Sequence, residues 1–234
     1  LDLSLSEAVD RLDEAIMSAE HVKLAFCNAH TANLAAASAH YRTLLRGFSV
    51  LPDGIGVDIA ARVLHRLPFK ANLNGTDFIP SYLDATRHAL RIALIGGRPG
   101  VSERAAAAIV ARWPRHQVVL HHHGYLGTEE SDRVMAATRD LGVDLLLVAM
   151  GNPRQEIFIA GKVTSEHATV AAGVGALFDF LSGEAKRAPF WVRRIRFEWA
   201  YRLIREPRRL FARYMLGNPL FLIRIARARL EGQS

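Results

Sequence analysis

The chain holds 234 residues, 50% of them hydrophobic, and 30 basic against 23 acidic side chains give a net charge of +7. That length buries roughly 70% or more of the unfolded surface, so one core forms without metal or disulfide staples. The single cysteine, Cys27, excludes an internal disulfide and fits a reducing compartment, and apolar runs such as Leu145 to Met150 fall far short of the about 18 to 20 residues of a spanning helix.

No charged-then-apolar signal segment opens the sequence, and Leu1 stands first. Leu5, Ala8, Val9, Leu12, Ala15, Ile16 and Ala19 share one helical face, predicting an opening amphipathic helix. Behind it one grammar repeats: a short apolar run, a glycine-containing turn, then a helical pattern. This predicts an α/β fold, a Rossmann-like and mostly parallel sheet with helices on both faces. Units begin near Val22, Phe48, Ile92, Leu145 and Thr169, and a run from Gln117 adds a further strand. From Trp191 the pattern is helical alone, with Val192, Ile195, Trp199 and Leu203 in one stripe. A second helix starts beyond Pro207, and Gly217 to Pro219 punctuate it.

Charge divides the chain in the same place. From Lys186 to Arg229, 13 basic residues stand against two acidic ones, a net +11 that leaves −4 for the remainder. The expected organisation is therefore a 1–185 α/β body and a 186–234 basic, aromatic-rich helical appendage.

In open sheets of this kind ligands bind beyond the carboxyl ends of the strands. There, Gly96, Gly97 and Gly100 precede a helix that starts with Ser102 and Glu103, and further glycine turns fall at Gly151 and at Gly173 and Gly175. Bare glycine lets backbone amides approach a phosphate, and a helix N-terminus adds a favourable dipole. Three such turns at one end of a sheet favour a nucleotide-diphosphate ligand over structural tightness alone. Asp53, between Pro52 and Gly54, is placed to act as a general base, and Asn28 occupies the equivalent position after its own strand. A turn or cap role is the alternative for both.

His121, His122 and His123 invite a metal, yet consecutive strand residues alternate faces, so at most two share an ion. No metal site is expected. The sequence also lacks any Asp-x-Asp pair to hold a divalent cation against a diphosphate.

Together "NAHTANLA", "DGIGVDIAAR", "LNGTD", "GGRPGVSERAA", "HGYLG", "MGNPRQE", "GVGALFDFLSG", "RAPFWVRR" and "REPRRLFARY" resemble the WecG/TagA/CpsF family of bacterial glycosyltransferases, from about Val22 to Ile223. The resemblance implies an inverting, metal-independent enzyme without cofactor that moves a sugar from a UDP donor to a polyprenyl-diphosphate-linked sugar. It implies Asp53 as catalytic base, Asn28 and Gln155 near the donor sugar, and Tyr125 and Asp179 around the uridine. Two departures concern the donor: many relatives carry arginine where Asn72 stands and threonine where Phe26 stands. The "NLNGTD" spelling is similar to the exopolysaccharide branch, including the xanthan-type glucosyltransferase, which leans toward UDP-glucose over a UDP-N-acetylmannosamine-type donor.

The basic appendage has three readings: nucleic-acid binding, a solvated helix, or an interfacial element. Charge alone allows the first, but no nucleic-acid motif accompanies it. Three large aromatics between Trp191 and Trp199 favour an interfacial helix whose rings enter the headgroup boundary while arginines hold anionic lipid. Arg187, Arg194, Arg202, Arg209 and Arg213 are the expected contacts to lipid diphosphate and membrane, with the protein peripheral on the cytoplasmic face. The competing class is a non-catalytic nucleotide- or nucleic-acid-binding protein.

Overall fold

A computed structural model describes residues 1–189, 192 and 198–231, with the backbone alone at 198, 202 and 209. Six strands, β1 (Val22–Cys27), β2 (Ser49–Pro52), β3 (Arg91–Gly96), β4 (Gln117–His122), β5 (Leu145–Ala149) and β6 (Val170–Gly173), form one parallel sheet. Its order is β2-β1-β6-β5-β3-β4. The fold is the Rossmann-like α/β arrangement read from the sequence, and all six strands start within a residue of the expected positions.

The inner strands β5 and β6 are buried along their whole length, whereas the edge strand β4 is only partly covered. This is why the inner strands read as continuous apolar runs. Alternation sends Leu24, Leu94, Leu147 and Ala172 to one face, against α1 (Leu5–Ser18), α5 (Gly75–Ala85), α6 (Val101–Arg112) and α9 (Leu177–Leu181). Ala25, Ile95, Val148 and Ala171 face the other way, against α7 (Thr128–Arg139) and α8 (Arg154–Lys162). The opening helix is fixed by a capping box in which Ser4 Oγ accepts from Glu7 N–H and Glu7 Oε2 accepts from Ser4 N–H.

Of the remaining helices, α3 (Ala39–Leu45) packs on the second face through Leu44 and Leu45, and α2 (Ala29–Ala37), α4 (Ile55–His65), α10 (Glu198–Arg205), α11 (Pro207–Phe211) and α12 (Gly217–Glu231) send residues to the carboxyl ends of the strands. α12 packs against α2 and α4. Its one buried anchor, Phe221, lies over Gly56, where an added Cβ would stand 3.6 Å from the ring. Asn33 ties the same helix down, donating to Gly217 C=O at 2.7 Å and accepting from Arg224 at 2.7 Å.

The expected break at Gly217 to Pro219 does not occur. Gly217 is helical (φ −68°, ψ −41°), and a π-helical turn, Ala212–Leu216, joins α11 to α12. Pro219 lacks the N–H that would bond back into the preceding turn, and the π-helical turn falls on the residues just before it. Ile195 of the expected stripe lies outside the described residues, as do Trp191, Arg194 and Phe197.

Candidate active site

A cleft of about 1080 Å³ opens across the carboxyl ends of the sheet, and the loops following all six strands contribute to it. Asp53 is central. It extends the β1–β2 ladder through Asp53 N–H to Cys27 C=O at 2.9 Å, so its backbone position is set by the sheet. Gly54 follows with φ +90°, a conformation that favours glycine, and its N–H donates to Asn72 Oδ1 at 2.6 Å.

Asn28 fixes the Asp53 side chain. Its Oδ1 caps α2 by accepting from His30 N–H (3.0 Å) and Thr31 N–H (3.1 Å), while its Nδ2 donates to Asp53 Oδ2 at 2.8 Å. The two roles determine one another: with the amide oxygen held by the helix start, the NH₂ points at the carboxylate. An aspartate here would cap equally well but could not donate. The alternative of a cap residue and the site role thus meet in a single side chain.

Across the cleft, Gln155 joins two glycine turns. Its Oε1 accepts from Gly151 N–H at 3.1 Å and from Gly175 N–H at 3.0 Å, and its Nε2 donates to Glu156 Oε1 at 2.8 Å. Asn152 Nδ2 donates to the same Glu156 oxygen at 2.7 Å. Burial pushes the Glu156 carboxyl above its ordinary value. Gly173 has to be glycine because an added Cβ would lie 2.9 Å from Gln155 Nε2. Gln155 itself is only 2% exposed, so it braces the cleft wall, and what it offers a ligand is the placement of Gly151 and Gly175.

Of the other residues singled out in the sequence, Gly97, Tyr125, Gly173, Gly175, Asp179 and Arg213 line the same cleft. Tyr125 is 65% exposed, its ring available for stacking rather than spent in a core. Gly96 stands behind the wall: an added Cβ would come within 3 Å of Ala149 backbone atoms, so glycine serves strand packing there. Arg187 sits at the margin, paired with Asp77 at 2.8 Å and donating to Thr76 Oγ1 at 3.1 Å. Arg194 lies outside the described residues, as do the side chains of Arg202 and Arg209.

The second wall comes from residues near the carboxyl end, including Trp199 and Phe221, which the sequence places in the basic, aromatic-rich segment, and Tyr214 and Met215. Sequence reasoning passed over other lining groups. Arg98, Arg154 and His30 also face the cleft. Burial, and then the charge of Arg213, pushes His30 down to about 4, so its imidazole is neutral near pH 7. Cys27, beside Asp53, is pushed up to about 11 by burial and by that carboxylate, and is a neutral thiol.

The first turns of α2, α4, α5 and α8 all contribute lining residues. Converging helix starts, together with Arg98, Arg154 and Arg213, make an environment suited to a diphosphate, and the held Asp53 carboxylate in the same cleft is suited to accept a proton.

The family model described as "Glycosyl transferase WecG/TagA/CpsF family" matches residues 1–234. The chain belongs to this family. Among its relatives is the N-acetylglucosaminyldiphosphoundecaprenol N-acetyl-beta-D-mannosaminyltransferase of Bacillus subtilis (strain 168), 32% identical over 179 residues, 75% of this chain and 67% of that one. Its namesake in Bacillus spizizenii is 32% identical over 176 residues, 74% of this chain and 66% of the relative. The protein of that name in Staphylococcus aureus (strain MW2) is 29% identical over 226 residues, 90% and 86% of the two chains. The match thus spans about two thirds of the length of the Bacillus relatives.

Proposed function

We propose that this chain is an inverting glycosyltransferase that moves a hexose from a UDP-sugar to a sugar carried on a polyprenyl diphosphate. The observation that carries the reading is Asp53, a carboxylate lining the cleft and held by Asn28 Nδ2 at 2.8 Å. Asp53 takes the proton of the acceptor hydroxyl as that oxygen attacks the anomeric carbon. The bond from that carbon to the diphosphate breaks, its electron pair leaves with UDP, and configuration inverts. Helix-start amides with Arg98, Arg154 and Arg213 stabilise the departing charge, and no divalent ion is assigned to it. Tyr125 and Asp179 are the proposed uridine contacts.

The names of the relatives support a lipid-diphosphate acceptor bearing N-acetylglucosamine and an N-acetylmannosaminyl donor. A second donor, UDP-glucose, is favoured by Phe26, whose ring lines the cleft, and by Asn72, whose side-chain oxygen is committed to Gly54 N–H. Among the described residues no helix is long and apolar enough to cross a membrane. A lipid-borne acceptor is instead reached by surface docking: Phe211, Met215, Leu216, Leu220 and Ile223 are exposed on a segment rich in arginine. In this reading residues 186–234 form a docking appendage that shares the cleft with the body, on the cytoplasmic membrane face.

Both donors, incubated with a short-chain lipid-diphosphate acceptor and chelator, test the assignment. Release of UDP with a product of inverted anomeric configuration is expected from one of them. Release from neither, together with tight salt-sensitive RNA or DNA binding, would replace it with the nucleic-acid reading.

A further inference from the structure

On the outermost strand, beside the cleft, three side chains gather that sugar transfer leaves unused. His122 closes β4, His123 follows it, and Glu130 stands in the first turn of α7. One ligand atom from each lies within 4.8 Å of the others. His122 Nε2 is 3.6 Å from Glu130 Oε1, near the about 3.4 Å that separates ligand atoms around a tetrahedral zinc ion. The two imidazoles meet edge to face with centroids 4.4 Å apart. His121, one residue earlier, is exposed, as strand alternation requires.

Two observations point to a cation. His122 Nδ1 is 3.0 Å from the His123 carbonyl. With the proton on Nδ1 and donated to that oxygen, Nε2 turns its lone pair toward Glu130, the arrangement that a backbone carbonyl imposes on a metal-ligating histidine. A lone pair and a carboxylate facing each other repel unless a positive centre, a proton on Nε2 or a metal ion, lies between them. In addition, His123 Nδ1 is buried without a hydrogen-bond partner. Buried polar atoms are so regularly satisfied that an orphan points to a missing water or ion. One divalent ion accounts for both features. Two imidazoles and one carboxylate suit zinc and its neighbours rather than magnesium or calcium.

We propose that His122, His123 and Glu130 bind a single zinc-class divalent ion, with water at the fourth position, and that the ion staples the loop carrying Tyr125. That loop already docks through Gly124, whose N–H donates to Gly97 C=O at 2.9 Å. The ion would close its other side by joining β4 to α7. No step of the transfer passes through this site, so it stands or falls independently of the transferase reading.

The test is titration of the chelator-stripped full chain with Zn²⁺ by calorimetry and with Co²⁺ by visible absorption. One ion per chain, the intense bands of four-coordinate Co²⁺, and a rise in thermal midpoint with Zn²⁺ are expected. His123→Ala and the shape-preserving Glu130→Gln should each weaken binding by at least the about 10-fold that loss of even an orienting partner costs. His121→Ala should bind as the parent does. Circular dichroism confirms that each variant is folded. Zn²⁺ binding equally well to a folded triple variant (His122→Ala, His123→Ala, Glu130→Gln), no binding by the parent chain, or equal weakening by His121→Ala would overturn the proposal.

Discussion

The strand-end wall of the cleft fixes its polar groups with short bonds inside the body, whereas the wall from residues 198–222 leaves large apolar side chains in solvent. On the first side, Gln155 satisfies two glycine amides and Asn28 holds both a helix start and Asp53. On the second, Ile204 is 79% exposed and Leu216 is 66% exposed, while Leu210 and Phe221 turn inward. The difference separates two tasks. Positioning a reacting group to a fraction of an ångström needs a buried, fully bonded frame, and reaching a lipid-borne partner needs a surface whose apolar groups have not been spent on the core.

If the walls are separable, the helical one should come away without melting the other. Phe221→Ala is the strongest lever: emptying so buried an aromatic site costs about 3 to 5 kcal/mol. Hydrogen exchange should report fast exchange throughout α12 with protection of β3, β5 and β6 unchanged, and turnover of lipid acceptor should drop sharply. Equal loss of protection in both regions would show one cooperative unit instead.

The opposite wall is probed by Gln155→Ala, which orphans the Gly151 and Gly175 amides. Each buried unsatisfied group costs about 1 to 3 kcal/mol, so the urea midpoint should fall and the affinity for UDP should fall with it. A stable variant with normal UDP affinity would mean that the two turns hold themselves.

The sheet was legible because buried parallel strands announce themselves as apolar runs ending in glycine or asparagine turns: Val22, Gln117 and Leu145 open strands where the pattern changes. Asp53 and Asn28 stood out for the same reason, each being the first polar residue after a run. The bracing role of Gln155 was not legible, since its partners lie four and 20 residues away on separate loops. Nor was Glu130, which reaches His122 only because α7 turns back beside the edge strand. The continuous π-helical passage through Gly217 was hidden by a Gly-Asn-Pro triplet that in isolation signals a break.

Two smaller effects sharpen the contrast. The His30 imidazole, in the cleft, titrates in the folded state near 4 rather than its ordinary 6.5. Between those values the unfolded chain takes up a proton that the folded chain refuses, so stability is complete above the ordinary value and declines as pH falls toward 4. His30→Gln should flatten that acid-side slope in urea titrations. Smallest is the Arg187–Asp77 pair, which links the start of the basic segment to α5. A double-mutant cycle should return about 0.2 to 1 kcal/mol, and a larger coupling would mean that the two walls are bolted together rather than apposed.

The account turns on Asp53 as the proton acceptor, and the direct measurement is kcat of Asp53→Asn with the UDP-sugar and lipid acceptor, beside its affinity for UDP. The substitution keeps the shape and removes the basicity. A fall of about 10² to 10⁴ in kcat with UDP affinity unchanged is the predicted result. Turnover at the parent rate would contradict it and move the base elsewhere in the cleft.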